Sequence, residues 1–126
     1  MESKNLMDTP ILDLEYLYEI SDKDPDYIHE VLRLFMESVP DGIKELEQSV
    51  SEGSDFEAMV RQAHFLKSSS YIVKVRNMYN NVSQIELLAK KSSGLAEIKS
   101  MLQDVITNFN LALPLIQAEQ KRTEHK

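Results

Sequence analysis

From Asp24 to Val50 the chain reads DPDYIHEVLRLFMESVPDGIKELEQSV, and the reading of this stretch decides the fold. Ile28, Leu32, Phe35, Met36, Val39, Ile43, Leu46 and Val50 recur at three- and four-residue steps, which is one apolar face of an α-helix. Asp24 can cap that helix, with Pro25 at its first position and Asp26 in its first turn, all favourable there. Pro40 interrupts the pattern and removes one backbone hydrogen bond, so a kink near Glu37 is expected, in one bent helix or between two. Gly53 ends the run.

The same period extends in both directions. A short helix begins near Asp13, its cap, and carries Leu14, Leu17 and Tyr18 to about Ile20; residues 21–24 then form a turn. After Gly53, Ser54 and Glu57 read as a capping box opening a helix with core positions Phe56, Met59, Ala63, Leu66, Ser70 and Val73. The next helix should start between Lys74 and Asn77 and bury Met78, Val82, Ile85 and Ala89. Ser92-Ser93-Gly94 breaks the chain again. The last helix runs from about Leu95 with Ile98, Leu102, Val105, Phe109 and Leu113 inward, until Pro114 kinks or ends it. The expected fold is all-α, an antiparallel four-helix bundle with a short additional N-terminal helix. Its expected limits are a flexible N-terminus at 1–10, the domain at 11–116 and a polar tail at 117–126.

Composition agrees with one globular domain. The 126 residues are 42% hydrophobic, and 3 Gly and 4 Pro supply little of the turn material that a β-sandwich or barrel needs. The absence of Cys excludes disulfides, Cys-ligated zinc, iron–sulfur clusters and thiol nucleophiles. No apolar run reaches a membrane span of roughly 18–20 residues, and the first residues lack a signal-peptide pattern, so a cytoplasmic protein without membrane attachment is expected. The net charge of −7 argues against general nucleic-acid binding. That charge is uneven. Residues 1–56 carry 15 acids against 4 bases, a net of −11, whereas residues 57–91 carry 2 acids against 6 bases, a net of +4. Local positive charge suits a phosphoryl group or an acidic partner surface, although a solvated basic helix face is the plain alternative.

Three histidines are present. His125 lies in the tail. His29 makes a lone Asp26-x-x-His29 pair, and a di-iron bundle would need a second such pair and two further carboxylates, so no metal is expected. His64 differs. Advancing about 100° per residue, Phe56, Met59, Ala63, Phe65, Leu66, Ile72 and Val73 fall on one arc of the third helix. His64 falls near the middle of the other, with Lys67 and Ser68 one turn further on and Arg61 one turn back. A neutral imidazole is a good nucleophile toward phosphorus, and a nearby lysine can steady the charge on a phosphoryl group. No carboxylate or serine is placed as an obvious base, which reads as a carrier rather than a hydrolytic triad. By spacing alone, an exposed helical histidine of this kind is more often mere surface.

Ala63-His64-Phe65-Leu66-Lys67-Ser68-Ser69-Ser70 resembles the histidine phosphotransfer family pattern Ala-His-x-Leu-Lys-Gly-Ser-Ser. Met78, Val82, Ile85 and Glu86 match the apolar residues and Leu-Glu pair of that family's next helix. The Phe35…Pro40…Leu46 run and Asp55 are similar as well, so the resemblance spans roughly residues 11–113. It implies that His64 accepts a phosphoryl group through Nε2 and that Lys67 helps to orient it. Ser68 would stand where a receiver domain approaches most closely, and Ser69 and Ser70 would be helix-packing contacts. Two departures stand out: Ser68 replaces the family's glycine, which adds a hydroxyl able to reach the ring, and Lys74-Val75 replaces a Gly-Ala.

The resemblance implies a phosphorelay intermediate that takes a phosphoryl group from the phospho-aspartate of one receiver domain and passes it to another. The partners would be receiver domains of response regulators or hybrid histidine kinases, which would bring the aspartate and Mg²⁺. No cofactor of its own, no ATP binding and no autonomous kinase activity are expected, and a monomer suffices. Arg61 and Ser68 would contact the receiver, with Val60 and Tyr71 as the dry, exposed part of the docking surface. The rival readings are a non-phosphorylated docking module, a plain structural bundle and a metal-dependent enzyme.

Overall fold

The computed structural model describes residues 9–124; the expectations for residues 1–8 and for His125 lie outside the described residues. In chain order the elements are β1 (Leu12–Asp13), α1 (Glu15–Ile20), α2 (Pro25–Glu52), α3 (Phe56–Ile72), β2 (Lys74–Val75), α4 (Met78–Lys90) and α5 (Leu95–Arg122). The fold is an all-α bundle: α2 packs on α3, α3 on α4, α4 on α5, and α5 closes the ring on α2. Short connections make each chain neighbour antiparallel.

The signals around α2 act as their chemistry dictates. The Asp24 carboxylate accepts from the Asp26 N–H at 3.0 Å, and Pro25 opens the helix. Gly53 ends it in the left-handed conformation (φ 73°), donating its N–H to the Ser49 carbonyl at 2.9 Å. Pro40 does not divide α2, which is unbroken over 28 residues. The flanking Val39 and Ile43 are both buried, and their packing outweighs the one hydrogen bond that proline forgoes.

Several boundaries differ from the sequence reading. Asp55, not Ser54, caps α3, its carboxylate accepting the Ala58 N–H at 3.0 Å. Burial of Met59 and Ala63 sets the helix register, and a carboxylate answers the positive helix end better than a hydroxyl. Helix α5 continues past Pro114 to Arg122, so Pro114 does not end it; residues 117–122 are helical and Thr123 is buried. Pro114 and Asn110 are exposed, so water can take the carbonyl that the proline leaves free, while Ala112 and Ile116 stay buried on the opposite side. Leu113 is only half-buried, and Phe65, expected inward, is 41% exposed.

The two short strands were not anticipated. Leu12 pairs with Val75 and Asp13 with Lys74, antiparallel. The Arg76 guanidinium donates twice to the Thr9 carbonyl, at 2.9 and 2.6 Å, so the chain is already tied down at Thr9 within the segment expected to be flexible. The strands fix the Lys74-Val75 corner between α3 and α4. Helix α1 begins at Glu15, whose N–H the Asp13 carboxylate accepts at 2.9 Å. Leu17 enters the core completely, and Tyr18 meets Glu119 and Arg122 at the end of α5. His29 completes that end of the bundle: its Nδ1 lies 2.8 Å from the Gln120 carbonyl, tying the first turn of α2 to the last turn of α5. Among the described residues no helix is long and apolar enough to cross a membrane.

Candidate functional site

Helix α3 turns Ala63 and Leu66 fully into the core, and that register places His64 outward. Its side chain is 65% exposed. Across the α3–α4 interface stands Glu86, whose side chain is only 7% exposed. Glu86 follows Ile85 and lies four residues beyond Val82, so the buried stripe of α4 carries it inward. One carboxylate oxygen, Oε2, lies 3.1 Å from His64 Nδ1 and 3.7 Å from Lys90 Nζ. The other, Oε1, accepts from Lys67 Nζ at 3.4 Å. A carboxylate is thus placed against His64, contrary to the sequence expectation.

Burial is the largest single influence on the Glu86 carboxyl and pushes its pKa up. It is outweighed by the hydrogen bonds from His64 and Lys67 together with the charges of Lys67 and Lys90, which hold the group below its ordinary value. Glu86 is therefore an anion in a place that would be costly for it without those partners. A carboxylate only accepts hydrogen bonds, so Nδ1 of His64 is the donor, and in the neutral ring Nε2 then holds the lone pair. The arrangement matches the second-layer carboxylate that orients histidines elsewhere.

The remaining expected site residues divide into groups. Lys67 stands beside His64 and shares its carboxylate. Ser68 is exposed, but its hydroxyl donates to the His64 carbonyl of its own helix at 3.2 Å and not to the ring. Ser69 bonds the Phe65 carbonyl, and the fully buried Ser70 bonds that of Lys67, as packing residues do. Arg61 and Val60 line a groove of about 550 Å³ with Glu57 and Lys90 on the N-terminal side of His64. Arg61 is exposed there, but Val60 is half-buried against the core, a correction to its expected exposure.

Tyr71 is 48% exposed and lies two turns past His64, about 10 Å along the helix. It belongs to a separate aromatic cluster. Its ring centroid is 5.2 Å from that of Tyr16 and 5.9 Å from that of Tyr79, and Lys74 Nζ sits 4.3 Å above the ring. Val60 and Tyr71 therefore flank His64 from opposite ends and do not form one dry patch.

The sequence reading missed the apolar surface on the α2 side of α3. Tyr27, Val31, Leu34 and Ile72 line a groove of about 230 Å³. Leu34 and Phe65 are both exposed, and Phe65 lies close over Gly42. Leu34, an apolar residue off the α2 core stripe, was the available signal. Among the described residues, no three His, Asp or Glu side chains are grouped to hold a metal ion.

The family model described as Hpt domain matches residues 30–119, more than half of the chain. No curated protein and no solved structure matches.

Proposed function

The chain belongs to the histidine phosphotransfer (Hpt) domain family, whose role is phosphoryl transfer on histidine in two-component phosphorelays, and from that premise we propose that His64 is the phosphoryl acceptor. The observation that carries the reading is an exposed imidazole anchored through Nδ1 on a buried carboxylate, with Lys67 alongside. Nε2 then points its lone pair outward to a docked partner.

The partner is a receiver domain carrying a phospho-aspartate and supplying Mg²⁺. Nε2 attacks the phosphorus in line, the P–O bond to the aspartate breaks, and the aspartate leaves as a carboxylate. Such transfer rests on alignment and charge neutralisation. Lys67, 35% exposed and at the edge of the site, is placed to meet the arriving phosphoryl oxygens. Arg61 and Ser68 contact the receiver near the phosphoryl group, Val60 and Tyr71 contact it at the two ends, and the protein acts as a monomer. A second receiver takes the group by the reverse of these steps.

The test is transfer of label from a phosphorylated receiver with Mg²⁺ to this protein and to His64→Gln. Acid-labile, alkali-stable label on the first and none on the second is the expected outcome. Receivers that bind without passing label would replace this reading with that of a docking module.

A further inference from the structure

We propose that Lys74, clamped between the rings of Tyr71 and Tyr16, is a specificity-determining residue for the receiver: it takes a carboxylate of the docked partner and favours receivers that carry one there. This inference rests on the reading of His64 as the acceptor.

The position follows from the helix. Tyr71 is seven residues beyond His64 on α3, about 20° short of two full turns, so both side chains leave the same face about 10 Å apart. Helix α4 runs antiparallel alongside and repeats the spacing. Glu86 meets His64, and Tyr79, seven residues earlier, meets Tyr71. A standard protein interface covers about 800 Å² on each partner, a patch roughly 30 Å across. A receiver centred on His64 therefore lies over Tyr71 and Tyr79, both exposed.

Lys74 gives that cluster its charge. Its Nζ sits 4.3 Å from the centroid of the Tyr71 ring and 5.2 Å from that of Tyr16. The two rings hold the ammonium in advance, so less side-chain freedom is lost when a partner arrives. They do not satisfy it. Among the described residues, no oxygen accepts a hydrogen bond from Nζ and no carboxylate lies within 4 Å of it. Asp13 faces Lys74 across the two strands, but its carboxylate accepts the Glu15 N–H instead. Lys67, the neighbouring cation on this face, is committed to Glu86. What remains is a fixed ammonium with three donors and no acceptor, beside tyrosines whose hydroxyls have no partner among the described residues either. Tyrosines anchor protein contacts, and rings around a charge pair exclude the water that would weaken it. An anionic side chain fits this place and a cationic one is repelled. Lys74 replaces the glycine of the family pattern, so the clamp and the choice it makes are this chain's own.

The test compares the full chain with Lys74→Met, which keeps the apolar stem and removes the charge, against the receiver that passes label to His64. The KM for the phosphorylated receiver should rise about tenfold in Lys74→Met. The transfer rate at saturating receiver should stay within about twofold. Labelling of His64 by phosphoramidate, which needs no docking, should be unchanged. Lys74→Glu should weaken transfer further, and one carboxylate-to-lysine change on the receiver face that carries the phosphorylated aspartate should restore it. An unchanged KM in Lys74→Met, or a Lys74→Glu variant that no such change restores, would overturn the inference. So would a parallel loss of phosphoramidate labelling, which marks a cluster that only supports the fold. Absence of label on wild-type His64 from receiver and phosphoramidate alike would instead overturn the acceptor assignment.

Discussion

Glu86 contributes to stability as an anion, and its pKa is depressed in the folded protein. The sign follows: its contribution is complete above the ordinary carboxylate value of 4.5 and is lost as pH falls through the lower folded value. Urea unfolding should therefore show wild type more stable than Glu86→Gln at neutral pH, with the gap closing only below about pH 4.5. A gap that does not change with pH would refute the charge-based account. Gly94 is a second single-residue test. It holds φ 73°, and an added Cβ would meet a Leu88 methyl at 2.9 Å. The methyl is the far end of a flexible side chain, so backbone strain decides, and Gly94→Ala should cost about 1 kcal/mol in thermal or urea melts. His64 and Lys67 were legible because the exposed arc of α3 follows from its core stripe. The partner of His64 was not, because the Glu86 contact is tertiary and spans 22 residues. The clue was local all the same: a carboxylate on the buried stripe of α4, where an apolar residue would ordinarily stand.

At the scale of elements, the cap of α3 separates two readings of one short stretch. If Asp55 accepts the Ala58 N–H, Asp55→Ala should cost about 1 kcal/mol. Ser54→Ala should stay within about 0.5 kcal/mol of wild type. The reverse order would restore the capping box. Helix existence was readable throughout from the 3.6-residue period, and the start of α2 from Asp24 and Pro25. What could not be read was competition between local and tertiary terms. Pro114 breaks a helix only if nothing holds the two halves, and Ala112, Ile116 and the Tyr18–Glu119 contact hold them. The β1–β2 pairing joins residues some sixty positions apart over two residues each, too short for any alternation to show.

For the molecule as a whole, charge segregation becomes a rate. The basic middle of the chain carries His64, while most of the acid lies before residue 57. Association with the acidic mouth of a receiver should slow as salt rises from about 0.05 to 0.5 M, while the pseudo-first-order transfer rate at saturating receiver changes much less. Stopped-flow measurement of both constants would check this, and an association rate indifferent to salt would argue against electrostatic steering. The ring of packed neighbours also has a temporal meaning. Helices α3 and α4 meet across the five residues 73–77, and closing so short a loop takes about 10–100 ns. The α2–α5 seam, tied by His29 and Gln120 across 91 positions, must wait for a far rarer encounter. A refolding chain should thus bring His64 against Glu86 within a local hairpin before the distant ends of α2 and α5 find each other.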